Sequence, residues 1–193
     1  MDTNLQLGSR LVRSTRYGAD YLSEFQRIIL AHVQPVTRAF LEWGAGHTTL
    51  AIAQMRHELS VDSLTTIDDN PEYLAAIAAQ MAAWPGFQGH CADLMGPKLS
   101  DRDPEPNYAT LPLSWGRQFD FIYIDGRRRL ECALVAALLS HPHTIVAMHD
   151  YRRARYQPVK ALFDIIEDGS QFRVMKARDR LHRLPDWALA STE

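Results

Sequence analysis

Four short apolar runs with little polar alternation constrain the architecture most. They are AFLEW at Ala39–Trp43, LTTI at Leu64–Ile67, FDFIYI at Phe119–Ile124 and TIVAM at Thr144–Met148. A strand that reads this way is covered on both faces, as happens in a parallel sheet sandwiched by helices. The segments between the runs carry helical periodicity. Leu22, Phe25, Ile28, Ile29 and Val33 place a leading helix over Tyr21–Val33, closed by Pro35, and a second helix is expected over Thr48–Leu59. Asp69 or Asn70 then caps an Ala-rich helix that starts at Pro71 and runs to about Trp84, and a further helix is expected over Leu130–Leu139.

Phe87–Cys91 is a weaker strand signal. The spacing of Val159, Leu162, Phe163 and Ile166 predicts a last helix over Gln157–Ile166, and FRVMKARDRLHRL is expected to form two short antiparallel strands around Arg178 and Asp179. Strands alternating with helices imply an α/β doubly wound, mostly parallel sheet with helices on both faces and a short antiparallel hairpin at its end. Residues 1–193 read as one domain, with a leading helical segment over 1–35. The proline-rich, polar stretch 97–118 is too long for an ordinary connection and is expected to act as a lid.

Composition narrows the function classes. A chain of 193 residues with 46% hydrophobic content can bury a full core without disulfides or metals. Its formal net charge of -2 argues against nucleic acid as a partner. No apolar stretch long enough to span a bilayer and no leader pattern is present, so no membrane partner and a cytoplasmic location are expected. The two cysteines, Cys91 and Cys132, sit in mostly apolar runs and are expected to be reduced and buried.

The chemistry concentrates after the strands. In FLEWGAGHTTLAIA, Gly44 and Gly46 follow the first strand and Glu42 precedes them. The third place of a dinucleotide-binding GxGxxG pattern is Thr49, and a carboxylate at Glu42 opposes a pyrophosphate. S-adenosylmethionine, whose sulfonium, ammonium and carboxylate sum to a positive charge, suits such a site better. Asp68 ends the second strand, about twenty residues on, where a carboxylate meets ribose hydroxyls. Asp93, past the third, is placed to accept from an adenine amino group. Asp125 follows the strongest strand, and His149, Asp150 and Tyr151 follow the fifth.

Glu42–Thr49 (EWGAGHTT), TIDDNP, CAD and FIYIDG, in this order, resemble the successive motifs of class I S-adenosylmethionine-dependent methyltransferases over roughly residues 36–176. Within that class, IDGR followed by HDY is similar to small bacterial proteins whose acceptor is unassigned. The resemblance implies Glu42, Gly44, Gly46, Asp68 and Asp93 as cofactor residues. The loop's last glycine is replaced by Thr48, and Thr48 and Thr49 have hydroxyls to cap the next helix or meet the methionine carboxylate.

Asp125 and His149/Asp150 also resemble the ends that hold a divalent cation in catechol-type methyltransferases. That family has Asp-Asn at the fifth strand, so no metal site is expected here. Arg127–Arg129 and Arg152, Arg153 and Arg155 form two clusters on the ligand side, suited to carboxylate or phosphate or else to a solvated, ion-paired face. The expected function is methyl transfer to the oxygen of a small-molecule or saccharide-type, anionic acceptor. In this reading Arg127, Arg152 and Arg153 bind the acceptor, and Asp125, His149 or Asp150 takes its proton. A methyltransferase-like binding or assembly protein without catalysis and an NAD-linked oxidoreductase are the alternatives. His47 and His90 read as turn and core residues.

Overall fold

The computed structural model describes residues 19–33, 38–94 and 107–178. Its elements are α1 (Ala19–His32), β1 (Ala39–Trp43), α2 (His47–Met55), β2 (Ser63–Asp68), α3 (Pro71–Gln80), β3 (Phe87–Cys91) and β4 (Phe119–Ile124). They continue with α4 (Arg129–Leu139), β5 (Ser140–His149), β6 (Phe163–Asp168) and β7 (Phe172–Ala177), with 3-10 helices at Leu111–Trp115 and Ala154–Ala161. The sheet has seven strands in the order β3-β2-β1-β4-β5-β7-β6. Strands β3 through β5 are parallel, and β7 and β6 close the sheet antiparallel. The strand order reverses between β1 and β4, so the carboxyl ends there open a crevice.

Period-two alternation assigns each apolar run to two cores. Leu41, Trp43, Ile122, Ile124, Val146 and Met148 point to one face, against Cys132, Ala133, Val135 and Ala136 of α4. Phe40, Phe121, Tyr123 and Ala147 point to the other, against Phe25, Ile28 and Ile29 of α1, Ile52 of α2 and Ile77 of α3. Asp120, the polar member of FDFIYI, accepts from the Arg38 and Ala39 amides at 2.9 and 2.8 Å, anchoring the start of β1 to that of β4. Asn70, not Asp69, caps α3, its side chain accepting from the Tyr73 amide.

Three expectations are corrected. The segment expected to be the last helix is a 3-10 helix followed by β6. Pro158 has no N–H for an α-helical ladder, and the backbone from Phe163 onward bonds instead to β7, Phe163 facing Ala177. The terminal hairpin is therefore β6–β7, turning at Gly169, one element earlier than its expected turn at Arg178 and Asp179, of which Asp179 lies outside the described residues. Cys91 is exposed because β3 is an edge strand, whereas Cys132 is buried on α4.

Of the expected lid, 97–106 lies outside the described residues, and within 107–118 Tyr108, Ala109 and Pro112 are buried while Leu111 and Trp115 pack against the core. Tyr108 is fully buried, and its carbonyl accepts from Trp43 Nε1 at 3.0 Å. The leading segment's residues 1–18 also lie outside. Among the described residues no helix is long and apolar enough to cross a membrane.

Candidate cofactor and acceptor site

The turn after β1 is shaped by contact with the turn after β4. Gly44 has φ +98, and a Cβ there would lie 2.7 Å from the Gly126 nitrogen. A Cβ on Gly126 would lie 1.8 Å from the Tyr108 hydroxyl. The two glycines thus let two backbones touch. Gly44→Ala is expected to cost about 2 kcal/mol or more, from left-handed strain and a backbone clash that cannot relax. Gly126→Ala is expected to be partly rescued by Tyr108→Phe, and Gly44→Ala not at all, in urea unfolding of single and double variants. Equal rescue of both would refute this division.

The amides of Gly44, Ala45 and Gly46 are already spent. Gly44 N–H donates to the Ile67 carbonyl at 2.8 Å, Ala45 N–H to Asp68 Oδ2 at 2.9 Å and Gly46 N–H to Thr49 Oγ1 at 2.8 Å. A pyrophosphate would need such donors. Glu42 lies beneath the loop, fully buried, rather than facing the crevice. It accepts from the hydroxyls of Thr48, Thr49 and Thr66 at 2.6, 2.5 and 2.9 Å. Burial pushes its pKa up to about 7, against the lowering effect of the three hydroxyls. Thr48 and Thr49, both buried, therefore hold Glu42 instead of presenting hydroxyls to a ligand.

A crevice of about 340 Å³ opens above, lined by Gly44, Ala45, Asp68, Asp69, Asn70, Tyr73, Asp125, Gly126, Arg127 and Arg129. Among the described residues, its three carboxylates against two guanidiniums leave a net charge of -1. Asp68 accepts from the Ala45 and Asn70 amides, one on each oxygen, and keeps lone pairs for two further donors. Burial raises its pKa. Tyr73, unmarked in the sequence, brings its hydroxyl near Gly46. Asp93 is exposed beyond β3 and does not line the crevice.

Asp125 is the hub at the end of β4. Oδ2 accepts from Tyr21 at 2.7 Å and Tyr123 at 3.1 Å, and Oδ1 meets His149 Nδ1 and Arg129 Nη2, both at 2.8 Å. Burial works to raise its pKa, but the His149 hydrogen bond and charge, with Arg129 and Tyr21, hold it below the usual carboxylate value. His149 is fully buried, packed edge-on to Tyr21 and against Phe172 at ring distances of 5.0 and 5.3 Å. It bonds Asp125 and is not among the residues that line the crevice. Arg129 ties the ends of β4 and β5 together, donating to the carbonyls of Gly126, Asp125 and His149. Asp150, at φ +59, pairs with Arg153 and lies 3.6 Å from Arg129.

Beside the crevice runs a groove of about 420 Å³ lined by Gly126, Arg127–Arg129, Leu130, Glu131, Arg153, Arg155 and Tyr156. Gly126, Arg127 and Arg129 line both. Arg152 is not part of it: its guanidinium donates to the Tyr151 hydroxyl and the Gly169 carbonyl. Arg155 takes its place. Sequence gave no signal for Tyr21 or Tyr108, since their partners lie 104 and 19 residues away. Among the described residues no three His, Cys, Asp or Glu side chains gather into a possible metal-holding group.

No family model matches the chain, and no curated protein matches it. Solved structures do. A methyltransferase-like protein from Silicibacter pomeroyi matches at 17% identity and a TM-score of 0.60, over 86% of this chain and 94% of that one. A ribosomal protein L11 methylase from Lactobacillus delbrueckii matches at 14% and 0.56, over 84% and 81%. The N-methyltransferase NodS from Bradyrhizobium japonicum, in complex with S-adenosyl-L-homocysteine, matches at 13% and 0.53, over 81% and 87%. The mostly parallel sheet with its antiparallel final strands is thus the class I methyltransferase fold.

Proposed function

We propose that the protein is an S-adenosylmethionine-dependent methyltransferase acting on the oxygen of a small or oligomeric anionic acceptor. The observation that carries this reading is a crevice at the strand-order reversal whose described lining is net negative and in which the Gly44, Ala45 and Gly46 amides are consumed, with Asp68 at the end of β2 and Asp125 after β4. Such a crevice favours a cationic, ribose-bearing cofactor over a dinucleotide.

When bound, S-adenosylmethionine supplies an activated methyl group. Its transfer forms the acceptor oxygen–carbon bond as the sulfur–carbon bond breaks toward sulfur, leaving S-adenosylhomocysteine. The chain has to orient the partners and exclude water. Asp68 receives the ribose hydroxyls, Asp125 faces the cationic end, and Arg127, at the junction of crevice and groove, holds the acceptor's anionic group with Arg153. Asp125, kept ionised by Arg129 and His149, is a weak base, and His149 is out of reach. The acceptor oxygen therefore enters already ionised or releases its proton to solvent.

Titration calorimetry with S-adenosylhomocysteine and with NAD tests the cofactor. S-adenosylhomocysteine is expected to bind and to raise the melting temperature, and Asp68→Ala to cost about 1.5 to 3 kcal/mol of affinity through its charge-assisted bonds. Binding of NAD with no response to S-adenosylhomocysteine would sink the reading.

A further inference from the structure

We propose that the arginine groove selects a small dianion whose two anionic groups are separated, one held by Arg127 and the other by Arg155. This deepens the methyltransferase reading and rests on it for the role of the groove, though not for its binding chemistry.

Charge counting comes first. Among the described residues, five arginines and one glutamate line the groove, which leaves +4. Arg129 is matched by Asp125 and Arg153 by Asp150, which leaves +2. Arg128 is held by the Leu94 carbonyl and by Glu131. The two guanidiniums least committed are then Arg127, 71% exposed with its nearest carboxylate, Asp69, at 3.9 Å, and Arg155, which forms no ion pair among the described residues. They come from different elements, the β4–α4 turn and the 3-10 helix after β5.

Geometry separates their roles. Arg127 lines both groove and crevice, so it marks the reacting end, and Arg155 lines the groove alone. The Arg155 guanidinium lies 4.8 Å over the Tyr156 ring, and Arg129 lies 5.9 Å from the same ring. The Tyr156 ring steadies the Arg155 guanidinium, and Tyr156 and Leu130 are the apolar members of the groove's lining. A groove of about 420 Å³ suits a compact molecule rather than a polymer. The ligand class is therefore a short scaffold, aromatic or of similar thickness, carrying a carboxylate or phosphate at each end.

Calorimetry on the full chain without cofactor, at low salt, tests this with isophthalate and terephthalate against benzoate. Wild type is expected to bind one of the dicarboxylates about tenfold or more tighter than benzoate, as two charge-assisted forks outbind one. Arg155→Gln, at an exposed position, is expected to remove that preference, and Arg127→Gln to remove it and to weaken benzoate binding as well. Arg152→Gln, outside the groove, is expected to change nothing. Equal affinity for benzoate and both dicarboxylates in wild type, or an unchanged dicarboxylate preference in Arg155→Gln, would overturn the proposal. S-adenosylhomocysteine binding separates the two readings. Dianion selectivity without it would leave the groove assigned and the methyltransferase reading lost, and the converse would cost only the groove.

Discussion

Replacing Asp125 by alanine is expected to lower the unfolding free energy by about 3 to 5 kcal/mol and to abolish S-adenosylhomocysteine binding. The size follows from what the carboxylate leaves behind. Arg129, with 11% of its side chain exposed, keeps only Asp150 at 3.6 Å as a countercharge, and the fully buried His149 loses its Nδ1 partner. Removing one member of a buried ion pair is costly because the survivor stays desolvated. The Tyr21 and Tyr123 hydroxyls, 2.8 Å apart, lose their common acceptor as well, and with it the bond from α1 to the end of β4.

The pH dependence identifies the mechanism. A carboxylate whose folded pKa is depressed contributes stability above its unfolded value, near 4, and loses it as pH falls through the folded value. The part of the Asp125→Ala loss that the carboxylate carries should therefore shrink as pH falls below about 4 in urea titrations. A deficit below about 1 kcal/mol at pH 7, or one that does not shrink below about pH 4, would contradict the ion-pair account.

Glu42→Gln is expected to act in the opposite sense with pH. Burial raises the Glu42 pKa to about 7, so between about 4.5 and 7 the folded chain holds a proton that the unfolded chain has released. Stability then falls as pH rises through that window, is fully present below it, and levels off above 7. A displacement of that size corresponds to roughly 3 kcal/mol. Wild type should lose about that much relative to Glu42→Gln between pH 4.5 and 8, because other titrating groups cancel in the difference. Parallel stability curves for the two proteins would show that Glu42 titrates normally and that the three threonine hydroxyls compensate its burial.

Both predictions concern residues whose positions were legible in the sequence while their roles were not. Glu42 and Asp68 each end a strand that its apolar run announces, and Asp125 ends the strongest one. A residue at the carboxyl end of a strand beside the order reversal lies at the crevice or just beneath it, so locating these carboxylates required only local patterning. Whether a side chain turns up into the crevice or down beneath the loop depends on neighbours distant in sequence. Thr66, on β2, is one of three hydroxyls that draw Glu42 under the loop, and Tyr21, on α1, takes the far side of Asp125.

The arginines show the same limit. Six in two clusters were visible, but not that Arg129 would be spent on carbonyls, Arg152 on Gly169, and Arg155 left facing the groove. The terminal region failed for a different reason: the spacing of Val159, Leu162, Phe163 and Ile166 matches a helix, but Pro158 and pairing with β7 override it.

Sequence by itself determined the α/β class, the parallel strands, the glycine turn and the ring of strand-end carboxylates, because these depend on hydrophobic period and on residues within a few positions of one another. Only the tertiary structure decided that Gly44 serves Gly126, that Glu42 is sealed under threonines, that His149 lies beneath Asp125 and that Arg155 faces the groove. Each of those outcomes is set by which distant group reaches a buried polar atom, and a buried polar atom left unmatched costs more than any local preference supplies.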